Sequence, residues 1–137
     1  MLIKSGGEYS LPFFTSKSLK VIHMPENEKV MIVEGKSDKQ KVKHVIEEPV
    51  DIICTNGTIS QAKLDEFAET LFDKDVYILV DADESGEKLR RQLKRELPQA
   101  SHLYIDRVYK EVASAPSQHV AEVLFRSNIR VHTKYLL

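Results

Sequence analysis

The feature that most constrains the fold is the regular alternation, from residue 30 onward, of short apolar runs with longer helical segments. The first run, VMIV at residues 30–33, is rich in β-branched side chains and suits a strand buried on both faces. Similar runs occupy residues 50–55, 76–80 and 102–105. Strands separated by helices of about 10–15 residues predict βαβ units, and therefore an α/β fold with a mainly parallel sheet.

The segments between the apolar runs have apolar residues at helical spacing. Ser37 and Gln40 are predicted to form a capping box at the start of the first helix. The third helix is predicted to begin near Glu84, and a last helix follows Pro116. One apolar stripe on the third helix consists of Leu89, Leu93 and Leu97.

The chain of 137 residues has the length of a single domain. Residues 29–137 are predicted to form that domain, with helices on both faces of the sheet and a C-terminal helix. Residues 1–28 do not follow the strand–helix rhythm, and we interpret them as a short N-terminal β extension, either a hairpin or an edge strand.

Composition restricts the classes of function. The apolar runs are too short to span a bilayer and the N-terminus has no signal-peptide pattern, so we expect a cytoplasmic protein without a membrane partner. The one cysteine, Cys54, excludes an internal disulfide and a cysteine-rich zinc site. A net charge of −1 disfavours a protein that coats nucleic acid by charge alone, but permits a local basic surface.

Polar residues follow three of the predicted strands. Glu34 follows the first, Asn56 the second, and Asp81 and Asp83 the third. Ligands of open parallel sheets bind beyond the carboxyl ends of the strands, where the strand order reverses. With the strand order 2-1-3-4, which is common in doubly wound folds, Glu34 approaches both aspartates. The sequence therefore predicts three carboxylates in one pocket.

Carboxylates grouped without histidine or thiolate favour a hard cation, so we predict a site for Mg²⁺, with Mn²⁺ as the alternative ion, at Glu34, Asp81 and Asp83. Mg²⁺ commonly takes one or two carboxylates together with substrate phosphates. The residues predicted to bind phosphate or nucleic acid are Lys36, Asn56, Gly57, Gly86, Lys88 and Arg91.

Simpler interpretations of the same residues remain open. An Asp-x-Asp sequence commonly caps a helix, Asn-Gly is a frequent turn pair, and basic residues on a helix usually form a solvated face. Tyr77, Tyr104 and Tyr109 are interpreted as packing residues of the core and its rim rather than as platforms for nucleobases.

The motifs VMIVEGKSD, TNG and YILVDADESGEKLRRQL, in this order and spacing, resemble the Toprim domain. That domain is shared by bacterial primases, type IA and type II topoisomerases, some nucleases and recombination-mediator proteins. Within the family, the motifs are most similar to those of the ribonuclease that matures 5S ribosomal RNA. The resemblance implies a Rossmann-like fold, Asp81 and Asp83 as Mg²⁺ ligands, and Glu34 as a general acid or base.

The chain also departs from these relatives, because it lacks a zinc ribbon and is too short for a topoisomerase cleavage domain. We therefore interpret it as a small free-standing Toprim protein. The leading hypothesis is Mg²⁺-dependent hydrolysis or transfer of phosphodiesters in RNA or DNA. The alternatives are a non-catalytic nucleic-acid-binding or regulatory module, with a protein partner that supplies specificity, and a binder of a small phosphorylated ligand.

Overall fold

A computed structural model of the protein describes residues 27–137, and its centre is a parallel sheet of four strands. The strands are β1 (Lys29–Val33), β2 (Asp51–Cys54), β3 (Asp75–Leu79) and β4 (Ser101–Leu103). Their order across the sheet is β2-β1-β3-β4, and every pairing is parallel. The predicted fold class and the strand order 2-1-3-4 are confirmed.

Helices cover both faces of this sheet. Their bounds are α1 (Lys36–Val45), α2 (Gln61–Thr70), α3 (Glu84–Glu96) and α4 (Ser117–Arg126), and a short 3₁₀ helix follows at Thr133–Tyr135. Side chains of α1 and α4 share one apolar cluster with alternate residues of β1 and β3, and side chains of α2 and α3 share the other. Each central strand is therefore buried on both faces, which explains the continuous apolar runs.

The division of the core follows directly from strand geometry. Met31 and Val33 belong to the cluster with α1 and α4, whereas Val30 and Ile32 belong to the cluster with α2 and α3. Successive side chains of a strand point to opposite faces, so one short run contributes to both clusters. The predicted leucine stripe of α3 packs in the second cluster, with each leucine no more than 1% exposed.

Three local predictions differ from the structure or lie outside it. The N-cap of α1 is Gly35, and Asp38 at the third helical position accepts a hydrogen bond from the Gly35 amide at 3.0 Å. The predicted capping box of Ser37 and Gln40 is therefore wrong, because the helix begins one residue before Ser37. The fourth strand ends at Leu103 rather than residue 105. The predicted N-terminal β extension lies almost entirely outside the described residues.

Among residues 27–137, no helix combines the length and apolar character needed to cross a membrane.

Candidate metal and phosphodiester site

The predicted carboxylates come together at the carboxyl ends of the two central strands. Glu34 directly follows β1, and Asp81 lies two residues after the neighbouring strand β3. The Glu34 carboxylate accepts hydrogen bonds from the Asp81 amide at 3.4 Å and from the Ser85 hydroxyl at 3.3 Å. The parallel pairing of β1 with β3 thus places Glu34 against the backbone that carries both aspartates.

Backbone amides hold each aspartate by one oxygen. Asp81 Oδ1 accepts a hydrogen bond from the Val112 amide at 2.8 Å. Asp83 is the N-cap of α3, and its Oδ1 accepts from the Gly86 amide at 2.8 Å. The Ala82 amide, between the aspartates, donates to the Lys110 carbonyl at 2.7 Å. A carboxylate that is oriented through one oxygen can offer the other to a cation.

A fourth carboxylate, which the sequence analysis missed, belongs to this group. Asp38 is only 7% exposed, and its negative charge raises the pKa of Asp81. The amides of Gly35 and Ala113 hydrogen-bond to Asp38 and partly offset the cost of burying it. The signal available in the sequence was an acidic residue at the third helical position, which by itself indicates only a favourable helix start.

Burial and mutual repulsion make these carboxylates weaker acids. Burial, followed by the charges of Asp38, Glu34 and Asp83, raises the pKa of Asp81 to about 6 despite the hydrogen bond from Val112. Burial is also the main cause of the raised pKa of Glu34, to which the charge of Asp83 adds. The pKa of Asp38 is likewise raised, first by burial and then by Glu111 and Asp83. Such a group of acids is poised to bind a cation or to transfer a proton.

The predicted phosphate-binding residues lie in different surroundings. The Asn56 amide donates to the Glu34 carbonyl at 2.6 Å, so the β2 end adjoins the carboxylates. Asn56 and Lys36 line a cavity of about 460 Å³ together with Lys39 and Lys43. The lining combines three ammonium groups with two side-chain amides, a set of donors that suits an anionic group.

The remaining predicted residues have structural surroundings of their own. Gly57 has a φ of 106°, which suits glycine in the turn after β2. The Gly86 amide already donates to Asp83, and a Cβ at this position would overlap the Asp81 backbone. Lys88 and Arg91 are exposed on α3 and do not line the cavity at Asn56. A phosphate-binding role for these four residues stays a prediction.

Comparison with known proteins decides the family. Residues 29–109 match the Toprim domain. The chain belongs to the Toprim family.

Its Toprim relatives include proteins of similar size and larger enzymes. The chain is 64% identical to the uncharacterized protein YusF of Bacillus subtilis, over 88% of this chain and 83% of YusF. A solved small Toprim domain protein from Bacillus stearothermophilus superimposes with a TM-score of 0.79 at 59% identity, covering 82% of this chain and 96% of that one. Ribonuclease M5 of Staphylococcus aureus is 33% identical over 56% of this chain and 43% of the ribonuclease. The chain thus spans less than half of that enzyme.

The chemistry of the Glu34, Asp81 and Asp83 carboxylates suits a magnesium ion that other ligands help to hold. The donors are carboxylate oxygens, which Mg²⁺ prefers. Within the part of the chain that the structure describes, however, no three or more His, Cys, Asp or Glu side chains are arranged to hold a metal ion by themselves. One or two carboxylates completed by substrate phosphates and water would suit this geometry.

The raised pKa of Asp81 predicts that the metal-free protein loses stability as pH rises. Between the ordinary value of 3.8 and the folded value of about 6, the folded state binds more protons than the unfolded state. The contribution of Asp81 to the free energy of unfolding is therefore most favourable below pH 3.8, where the carboxyl is protonated in both states. That contribution is lost as pH rises through about 6. In EDTA at pH 7.5, Asp81→Asn should therefore melt at a higher temperature than the wild type. The shift corresponds to at most about 3 kcal/mol, which solvent screening reduces to about 1 kcal/mol.

The matched control for that measurement is Asp83→Asn. Asparagine caps helices about as well as aspartate, so this variant should melt within about 0.5 kcal/mol of the wild type. Melting curves at pH 4.5 and 7.5 check both variants, and the gain of Asp81→Asn should shrink at the lower pH. A large destabilisation of the metal-free protein by Asp81→Asn would show that the carboxylate has a structural role instead.

Proposed function

We propose that the protein is a metal-dependent phosphodiesterase that hydrolyses or transfers phosphodiester bonds in nucleic acid, with RNA as the first substrate to test. The observation that supports this most directly is the position of Glu34. Its carboxylate lies against the Asp81 amide, its pKa is raised, and two aspartates follow on the neighbouring strand. A proton-transfer group beside two potential cation ligands is an arrangement that can cleave phosphodiesters.

In this proposal each part of the site has a separate task. Mg²⁺ bound at Asp81 and Asp83 would neutralise the charge that develops on the phosphoryl oxygens. Lys36 and Asn56 would hold the phosphate backbone in the basic cavity beside Glu34. Glu34 would take a proton from the attacking water or hydroxyl, or give one to the leaving oxygen when the phosphorus–oxygen bond breaks.

The choice of RNA rests on the relatives. Proteins named Ribonuclease M5 from Mycoplasma genitalium and Staphylococcus aureus align with about half of this chain, at 31% and 33% identity. The aligned part is 43% of each ribonuclease, so regions that could select their substrate lie outside the comparison. We therefore propose the reaction class alone, and we propose that a protein partner selects the particular RNA.

The test is cleavage of labelled oligonucleotides by the purified protein. Single- and double-stranded RNA and DNA are incubated with Mg²⁺, with Mn²⁺ or with EDTA, and the products are separated by size. We expect cleavage that requires a metal ion, is strongest on RNA, and is lost in the double variant Asp81→Asn, Asp83→Asn. Equal activity in that variant would indicate a contaminant. Binding of nucleic acid without cleavage under any metal condition would favour the non-catalytic binding module.

A further inference from the structure

A second cavity adjoins the carboxylate site on the side of β4, and the proposed reaction does not use it. Its volume is about 430 Å³. It lies between the start of α3 and the residues that follow β4, and it shares Asp83 with the carboxylate site. The residues that line it are Val80, Ala82, Asp83, Glu84, Glu87, Arg90, Tyr104, Ile105 and Arg107.

One aromatic ring in this cavity is exposed and rigidly supported. Tyr104 is 60% exposed and directly follows β4, in which only Leu103 is buried. The guanidinium carbon of Arg90 lies 3.9 Å from the centre of the Tyr104 ring. One face of the ring stacks on the guanidinium group, so the opposite face is the one presented to solvent. Tyr104 was interpreted from the sequence as a packing residue, and its exposure differs from that of Tyr77, which is 9% exposed in the core.

Arg90 is itself held in place by the fold. It is only 5% exposed, and its two terminal nitrogens contact His102 Nδ1, at 3.2 Å, and the Leu103 carbonyl. Its Nε lacks a hydrogen-bond partner among the described residues, and the nearest carboxylate, that of Glu87, is 3.7 Å away. The Arg90 guanidinium therefore supports one face of the Tyr104 ring, while the ring itself stays outside the apolar core.

The charges of the cavity favour a flat, uncharged group over a phosphate. Three carboxylates, Asp83, Glu84 and Glu87, face two guanidinium groups, those of Arg90 and Arg107. The lysine-rich cavity at Asn56 suits a phosphate better, since its charged lining residues are all cationic. Apolar side chains of Val80, Ala82 and Ile105 complete the lining beside Tyr104, which suits the face of a nucleobase.

We infer that Tyr104 is a stacking platform for an unpaired nucleobase of a nucleic acid whose phosphate backbone is held by Lys36 and Asn56. This inference rests on the proposed function for its ligand class, nucleic acid. A base inside a duplex is covered on both faces by its neighbours, so the platform favours an unpaired nucleotide at this position. Tyr104 would thereby select the substrate without taking part in the chemical step.

The test measures binding without turnover. A 12-nucleotide single-stranded RNA carrying one 2-aminopurine is titrated with protein in EDTA, so that metal-dependent cleavage plays no part, and the fluorescence of the 2-aminopurine is followed. Wild type is compared with Tyr104→Ala, Tyr104→Leu and Tyr104→Phe. The matched control is Phe72→Ala, because Phe72 is 70% exposed and lies at the amino-terminal side of β3, away from the carboxylates.

We expect quenching of 2-aminopurine by the wild type and by Tyr104→Phe. Tyr104→Ala and Tyr104→Leu should lose the quenching and bind about 5- to 150-fold more weakly, the range that corresponds to one stacked base. Phe72→Ala should behave as the wild type, and thermal melting confirms that all variants are folded. A duplex of the same sequence should bind with no dependence on Tyr104.

Three results would overturn the inference. They are wild-type affinity and quenching in both Tyr104→Ala and Tyr104→Leu, the same Tyr104 dependence for the duplex, and absence of binding by the wild type. Failure of the proposed function has a different readout, because it is absence of cleavage in Mg²⁺ or Mn²⁺. Binding that depends on Tyr104 without any cleavage would support the stacking platform and contradict the proposed nuclease activity.

Discussion

Replacing Glu34 with Gln should lower turnover by about 10²–10⁴-fold, the usual contribution of a positioned proton-transfer group. The substitution preserves the shape of the side chain, and the amide oxygen can still accept the hydrogen bond from the Asp81 amide. The Ser85 hydroxyl can rotate to accept from the new amide nitrogen. Fold and nucleic-acid affinity should therefore remain, and steady-state cleavage of labelled RNA measures the loss of turnover.

Two controls separate proton transfer from the effects of charge and of metal binding. Glu111→Gln removes a negative charge from the same neighbourhood, because the charge of Glu111 raises the pKa of Asp38. Glu111 differs from Glu34 in being exposed, and its carboxylate accepts a hydrogen bond from the Ser114 hydroxyl. Its effect on turnover should stay below about 10-fold, because solvent and salt screen it. A Mg²⁺ titration is the second control. If Glu34 served only as a metal ligand, excess Mg²⁺ would restore the activity of Glu34→Gln.

Turnover that is unchanged by Glu34→Gln would remove the proposed role of this residue. Cleavage would then have to come from another site or another protein. Loss of binding together with loss of turnover would instead show that Glu34 organises the pocket through its contacts with Asp81 and Ser85. Measuring binding and cleavage on the same oligonucleotide distinguishes these outcomes.

Much of the site could be predicted from local sequence because parallel strands align their carboxyl ends. The apolar runs located all four strands to within about two residues at each end, a typical boundary error. Once β1 lies between β2 and β3, the residues that follow them must be neighbours, and this places Glu34, Asn56 and Asp81 at one edge of the sheet.

What could not be predicted depends on the segment between β4 and α4. The amides of Val112 and Ala113 reach Asp81 and Asp38, which are 31 and 75 residues away along the chain. No local pattern reports such contacts, so the burial of Asp38 and its part in the carboxylate group were missed. The exposure of Tyr104 was not predicted for a related reason, because it depends on where β4 ends and on the position of Arg90.

The second large effect is expected from Gly86→Ala, which should destabilise the protein by about 3 kcal/mol or more. Helix propensity alone predicts the opposite sign, since alanine in place of glycine inside a helix usually gains about 1 kcal/mol. At this position, however, a Cβ would overlap the carbonyl oxygen of Asp81 and lie 3.0 Å from its carbonyl carbon. Backbone atoms cannot rotate away as a flexible side chain can, so the start of α3 or the Asp81 peptide must shift.

The consequence should extend from stability to the site itself. Movement of the Asp81 peptide displaces the amide that binds Glu34 and the carboxylate that binds the Val112 amide. The Gly86 amide also caps onto Asp83, so both aspartates would lose their present orientation. Gly86→Ala should therefore lower the melting temperature by roughly 10 °C and reduce metal-dependent cleavage even at temperatures where the variant is folded.

Gly35→Ala is the matched control, because Gly35 also borders the carboxylates and begins a helix. A Cβ there would meet its nearest neighbour, Asp38 Oδ2, at 3.8 Å, which is an ordinary contact, and the φ of −138° is open to any residue. Its cost should be that of a weaker N-cap, below about 1 kcal/mol. If Gly86→Ala melted at or above the wild-type temperature, this result would contradict the close approach of α3 to the Asp81 peptide. The orientation of both aspartates, on which the proposed metal site depends, would then need another explanation.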